Sequence, residues 1–118
     1  MLLHVIRDMS LPKEIWEMIK AGEVTESRME ILRNSAEIIL DNAREKFEEA
    51  GISDIRTDYV IGDPAHRIKG YAEEKNVDLI VIGQRGLGPY EGLLGGVARK
   101  LLNMTTTSCL VITEASQT

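Results

Sequence analysis

The sequence predicts an α/β fold in which an open parallel β-sheet lies between layers of helices, three layers in all. Residues 78–83, Asp-Leu-Ile-Val-Ile-Gly, form an apolar run that ends in glycine, which is typical of a parallel strand covered on both faces. Between residues 25 and 50 apolar side chains recur every three or four positions, the period of an amphipathic helix. Strand-like and helix-like segments alternate along the chain, which predicts right-handed βαβ connections.

The composition predicts one cytoplasmic domain, residues 1–118. A formal net charge of −5, without any run of Lys or Arg, argues against binding to nucleic acid. Because no apolar stretch approaches the roughly 20 residues that cross a bilayer, no membrane partner is expected. The single cysteine, Cys109, cannot form a disulfide framework, and we expect no secretion signal from the first residues.

The first half of the chain predicts a strand at Leu2 to Ile6, a short helix from Ser10 to Gly22, and a long helix from Thr25 to Ala50. Ser27 and Glu30 have the spacing of a capping box, and Gly51 is placed to close the long helix. The apolar face of the long helix contains Met29, Leu32, Ala36, Ile39, Leu40, Ala43, Phe47 and Ala50.

The second half predicts three more strands, each preceded by a helix. They are expected at residues 55–61, 78–83 and 109–112, with helices from Pro64 to Lys75 and from Gly96 to Met104. Asn76 is suited to the left-handed position that ends a helix. The tail, residues 114–118, is expected to fray.

A glycine-dense loop joins the strand that ends at Gly83 to the helix that begins at Gly96, and it contains six glycines counting both ends. Such a loop can turn several N–H groups toward one point, where the positive end of the following helix also points, so it is suited to bind phosphate. Arg85 adds a forked charged donor. The alternative is a mobile surface loop. The spacing matches neither the dinucleotide fingerprint nor the P-loop.

The glycine spacing resembles that of the universal stress protein family. Its ATP-binding members carry Gly, two residues, Gly, nine residues, then Gly followed by Ser or Thr; this chain has Gly83, Gly86 and Gly96 at those positions, followed by Val97. Residues 2–6, 62–65, 78–83, 85–88 and 109–112 also resemble the family, so the resemblance covers nearly the whole chain.

The resemblance implies the Rossmann-like fold of the adenine nucleotide alpha hydrolase type and a bound ATP or AMP, with or without Mg²⁺. Backbone around the glycines would hold the phosphates and ribose, and Val5 would contact the adenine. The implied nucleotide-binding residues are Val5, Gly83, Gln84, Arg85, Gly86, Gly96, Val97 and Ala98. The resemblance also implies a homodimer whose last strands pair through Cys109, Leu110, Val111, Ile112 and Thr113.

The chain departs from the family pattern in two ways. Val97 stands where ATP-binding relatives have a hydroxyl, which is expected to weaken binding. The family's first strand and helix have no counterpart ahead of Met1, although that strand lies at the centre of a sheet ordered three, two, one, four, five. The chain is then a fragment, pairs the strands at residues 2–6 and 78–83 directly, or takes a strand from a partner chain.

Three functions are consistent with these residues. The first is a dimeric, nucleotide-binding stress-response or signalling protein. The second is a dimeric scaffold that no longer binds nucleotide, and the third is a weak ATPase or adenylyl-transfer enzyme. No nucleophile has a base at a recognisable spacing, so no catalytic residue is assigned. His4 is expected to pack in its strand, and no metal site is assigned.

Overall fold

A computed structural model describes residues 1–7, 17, 26–84 and 95–113, with the side chains of residues 26–29 excepted. The α/β class with parallel strands is confirmed. In chain order the elements are β1 (Leu2–Arg7), α1 (Glu26–Glu49), β2 (Thr57–Gly62), α2 (Pro64–Glu74), β3 (Leu79–Gly83), α3 (Gly96–Met104) and β4 (Ser108–Ile112). The predicted helix at residues 10–22 lies outside the described residues except for Glu17, which is helical, and the predicted tail also lies outside them.

The ends of α1 and α2 confirm the predicted closing residues. Gly51 has φ 93°, and the N–H groups of Gly51 and Ile52 donate to the carbonyls of Glu48 and Phe47 at 3.0 Å each. Asn76 has φ 52° and ends α2 in the same way, and the next residue, Val77, donates to Ala72 at 2.9 Å. Both are Schellman motifs, in which a left-handed residue lets the chain satisfy the last helical carbonyls.

The first compact unit, residues 1–63, is a β1-α1-β2 unit. The strands pair in parallel, with Val5 opposite Val60. Helix α1 packs on both strands through a narrow stripe in which Ala36 and Leu40 are buried, and Ile6 is the buried residue of β1. The Arg44 guanidinium donates to Oγ1 of Thr57 at 2.8 Å, which ties α1 to the start of β2.

The second compact unit, residues 64–118, holds α2, β3, α3 and β4. Strands β3 and β4 pair in parallel, with Ile80 opposite Cys109 and Ile82 opposite Val111. Its core lies between the two strands and the two helices. The buried members are Ala65, Ala72, Ile80 and Leu101, with Ile68, Val77, Ile82, Met104 and Cys109 packed against them.

Among the described residues, the strands pair as β1 with β2 and β3 with β4. The three arrangements expected from the sequence for the strands at residues 2–6 and 78–83 stay predictions. That residues 1–118 form a single domain stays a prediction. Within the described residues, no helix is long and apolar enough to cross a membrane.

Candidate functional site

The glycine loop leaves the carboxyl end of β3, where ligands of open parallel sheets bind. Its two ends are fastened together: the N–H of Gln84 donates to the carbonyl of Ile112 at 2.8 Å, and the N–H of Gly95 donates to the carbonyl of Gln84 at 2.6 Å. The first bond extends the β3–β4 ladder by one residue. The beginning and end of the loop are therefore held at one place on the sheet.

This arrangement changes what Gln84 can offer a ligand. Gln84 is among the residues implied to bind nucleotide, and its backbone N–H already donates to the carbonyl of Ile112. Only its side-chain amide is left as a donor. Arg85 and Gly86, the other candidates in the loop, lie outside the described residues.

Helix α3 begins immediately after the loop, at the predicted Gly96. Gly95 is the N-cap in extended conformation, with φ −63° and ψ 160°, and among the described residues no side-chain hydrogen bond caps the helix. Arg99 makes the first intrahelical bond, donating to Gly95 at 3.0 Å. The first amides of an α-helix have no partner within it and form its positive end, so those of Gly96, Val97 and Ala98 are suited to an anion.

The packing of the described residues does not require a glycine at position 96. It is exposed, and a Cβ built on it would meet no atom within 4 Å. A side chain could therefore be accommodated by the described protein, yet none is present. The absence of a side chain on Gly96 would let a ligand approach its backbone closely. Val97 is half-buried and Ala98 is buried, so their side chains are partly or wholly committed to packing.

Val5, the residue implied to contact adenine, lies in the first compact unit, late in β1. Its side chain is half-buried. His4, also half-buried, lies opposite Tyr59 in the parallel ladder. The structure thus places Val5 on an ordered strand, and its role toward a nucleotide stays a prediction.

The proposed dimer strand, β4, has two different faces. Cys109 packs on the core of its unit, and Val111, opposite Ile82, lies on the same side and is half-buried. Leu110 and Ile112 are exposed on the other side. A charge introduced at Val111 would therefore disturb the core as well as any dimer.

Cys109 is a structural thiol rather than an activated one. Its Sγ lies 3.5 Å from the carbonyl oxygen of Thr107 and donates to it. Burial raises the pKa of the Cys109 thiol. Since the thiolate is the reactive form, a raised pKa keeps the group protonated and unreactive at neutral pH.

Sequence reasoning missed one feature of the second unit. The run at residues 78–83 was expected to be covered on both faces, but Leu79 and Val81 of β3 are exposed. Periodicity alone could not find this, because a continuous apolar run contains no alternation. Among the residues that the structure describes, no group of three His, Cys, Asp or Glu side chains is placed to hold a metal ion.

These features define an α/β protein of parallel βαβ units with a fastened glycine loop that leads into a helix N-terminus. The chain belongs to the universal stress protein family, which it matches over residues 1–113. The prediction of the family is therefore confirmed.

Curated relatives support the assignment. The chain is 40% identical over 90 residues to universal stress protein YxiE of Bacillus subtilis, an alignment that covers 75% of this chain and 60% of that protein. It is 34% identical over 104 residues to universal stress protein MJ0531 of Methanocaldococcus jannaschii, covering 86% of this chain and 55% of that protein. The chain thus spans between 55% and 60% of the length of these relatives.

Solved structures show the same fold. The hypothetical protein MJ0577 superposes with a TM-score of 0.74 at 26% identity, covering 98% of this chain and 76% of that one. A universal stress protein in complex with cAMP superposes with a TM-score of 0.57 at 23% identity, covering 95% of this chain and 96% of that one. The second likeness shows the fold alone.

Proposed function

We propose that this chain is a cytoplasmic, homodimeric stress-response or signalling protein that binds an adenine nucleotide, ATP or AMP. The observation that carries the proposal is the start of α3, where the described residues provide no side-chain cap and Gly96 has free space at its Cβ position. The first amides of this helix have no partner within it and are suited to an anion. The hydrogen bonds at the two ends of the glycine loop support the proposal, because they hold the carboxyl end of β3 close to the start of α3. The cAMP complex of a structural relative is consistent with a ligand of this chemical class.

A scaffold that does not bind nucleotide is the second candidate, and two observations favour it. Val97 offers no hydroxyl at the second position of α3. The backbone N–H of Gln84 already donates to the carbonyl of Ile112 within the sheet. Each lost donor to a charged group weakens binding by about 1.5–3 kcal/mol. The two candidates differ in whether the backbone amides of Gly96, Val97 and Ala98 bind a phosphate.

The two candidates are separated by Gly96→Ala, measured by titration calorimetry with ATP and with AMP. The added methyl group lies in open space in the protein, so folding should be unaffected or slightly favoured. A phosphate against the Gly96 amide would be pushed away, and we expect the affinity to fall about tenfold, equivalent to about 1.4 kcal/mol. Unchanged affinity would contradict the placement of the phosphate, and a wild-type chain that binds no nucleotide would support the scaffold.

Gly70→Ala is the matched control for that experiment. Gly70 lies within α2, is exposed, and a Cβ built on it would also meet nothing within 4 Å. Because glycine is a poor helix former, the substitution should raise the free energy of unfolding by about 0.4–1 kcal/mol. Nucleotide affinity should not change. A fall in stability, measured by urea denaturation, would contradict the helical environment assigned to residue 70.

A further inference from the structure

One face of the β3–β4 sheet is an exposed apolar surface. Its members are Leu79 and Val81 of β3 and Leu110 and Ile112 of β4, each between 48 and 60% exposed. In the parallel register Val81 lies directly opposite Leu110, so the four side chains are neighbours. We call these four residues the sheet face. Parallel strands are normally covered on both sides, and a contiguous apolar patch of this kind marks an interaction surface.

Helix α1 carries a second apolar surface. Ile31, Ile38 and Ile39 are between 50 and 64% exposed, whereas Ala36 and Leu40 are buried against the β1–β2 sheet. Ile31 and Ile38 are two turns apart, so they point within about 20° of each other and lie roughly 10 Å apart along the axis. We call the three isoleucines the helix stripe. Isoleucine side chains this exposed are available to pack on another apolar surface.

The two surfaces fit each other in kind and in size. A helix lying on the open side of a parallel sheet is the usual layer of α/β proteins. Residues two apart on a strand are separated by about 6.6 Å and adjacent strands by about 4.8 Å, so the sheet face with its side chains spans on the order of 10 Å, the length of the helix stripe. We propose that, in a homodimer, the helix stripe of each copy packs on the sheet face of the other.

Buried area favours this reciprocal contact over two sheet faces packed together. A large aliphatic residue at half exposure presents on the order of 90 Å², so the four residues of the sheet face alone would bury roughly 350 Å² per copy. Adding the three isoleucines of the helix stripe brings the apolar area to roughly 600 Å² per copy. Specific interfaces bury about 800 Å² per partner, which the reciprocal contact approaches once surrounding atoms are included.

This inference goes beyond the proposed function, because it assigns a contact surface that does not include the nucleotide site and that reaches beyond β4 to β3 and α1. It shares with that function only the homodimer. The Ile38 and Val81 side chains lie outside β4, so they separate the reciprocal contact from pairing of the last strands. Leu110 and Ile112 belong to both surfaces and do not separate them.

The first test is the oligomeric state of Ile38→Lys and Val81→Lys, measured by light scattering over a range of protein concentrations. Both side chains are exposed, so the folded content seen by circular dichroism should be kept. We expect each variant to raise the dimer dissociation constant at least tenfold, since each places a charge in the contact. The controls are Glu37→Lys on another side of α1 and Thr106→Lys before β4, both at exposed positions; neither should alter the dimer.

The second test is a cross-link between copies. On a Cys109→Ala background, chains carrying Ile38→Cys are mixed with chains carrying Val81→Cys and oxidised mildly. The reciprocal contact predicts a mixed disulfide dimer, and a Glu37→Cys chain should form much less of it with the Val81→Cys chain.

A wild-type chain that is monomeric at every concentration would overturn the inference. So would a dimer that survives both Ile38→Lys and Val81→Lys, which would indicate β4 pairing. A dimer lost in only one of the two variants would also overturn it, and loss in Val81→Lys alone would indicate packing of two sheet faces. Titration of ATP into the same samples keeps the proposed function separate. A dimer that forms through these surfaces without binding nucleotide would fail that function and support this inference.

Discussion

Leu101→Ala is expected to lower the free energy of unfolding by about 2–5 kcal/mol, measured by urea denaturation followed by circular dichroism. Leu101 in α3 is 0% exposed and is the largest fully buried side chain among the described residues. It packs in the core with Ala65, Ala72 and Ile80. Alanine neighbours cannot move far enough to refill the space, so the substitution leaves a cavity and loses the transfer free energy of the removed atoms.

The adjacent Leu102 provides the matched control. It is 39% exposed on the same helix, so Leu102→Ala removes the same atoms from a partly solvated position and should cost about 1 kcal/mol or less. Leu101→Met, which nearly conserves volume, should cost under about 1.5 kcal/mol and keeps the test interpretable if Leu101→Ala fails to fold. Equal losses for Leu101→Ala and Leu102→Ala would contradict the assigned packing of α3.

The boundaries of the helices followed from local chemistry. Gly51 and Asn76 take left-handed conformations that their side chains permit, and Pro64 and Gly96 start α2 and α3 where the sequence predicted. These signals depend on a few neighbouring residues, so no knowledge of the tertiary partner is needed. The β4 strand was likewise predicted to within one residue, Ser108 instead of Cys109.

Which side chains of the helices and strands are buried could not be predicted from the sequence. Ile39 and Phe47 were expected on the buried face of the long helix, but both are exposed. Two paired strands present only a narrow surface, so only the middle of the apolar stripe is buried against them. How many strands a sheet has is a property of long-range pairing, which helical periodicity does not record.

In the candidate site, too, the features set by neighbouring residues were predicted and those set by long-range strand pairing were not. The start of α3 at Gly96 followed from the glycine spacing, because the glycines and the helix are contiguous in sequence. The hydrogen bond of the Gln84 backbone N–H could not be predicted from the sequence. Its acceptor, the carbonyl of Ile112, is 28 positions further along the chain and is set by the β3–β4 register. Donor counts in such loops therefore depend on the pairing of the strand that follows.

Val97→Ser is expected to tighten ATP binding about ten- to a hundredfold, measured by titration calorimetry. Val97 is the second residue of α3, beside the amides proposed to hold phosphate. A hydroxyl there adds a hydrogen bond to a charged group, worth about 1.5–3 kcal/mol. Because Val97 is half-buried, the substitution also loses packing, so stability should fall modestly while affinity rises.

If Val97 had only a packing role, Val97→Ser would lower stability without raising the affinity for ATP. Val97→Ala removes similar packing without adding a donor, and should lower stability while leaving affinity near that of the wild type. Val97→Thr keeps the branched shape and adds the hydroxyl, so it should tighten binding with the smaller loss of packing. If neither Val97→Ser nor Val97→Thr binds ATP more tightly although both remain folded, the start of α3 does not face the phosphates.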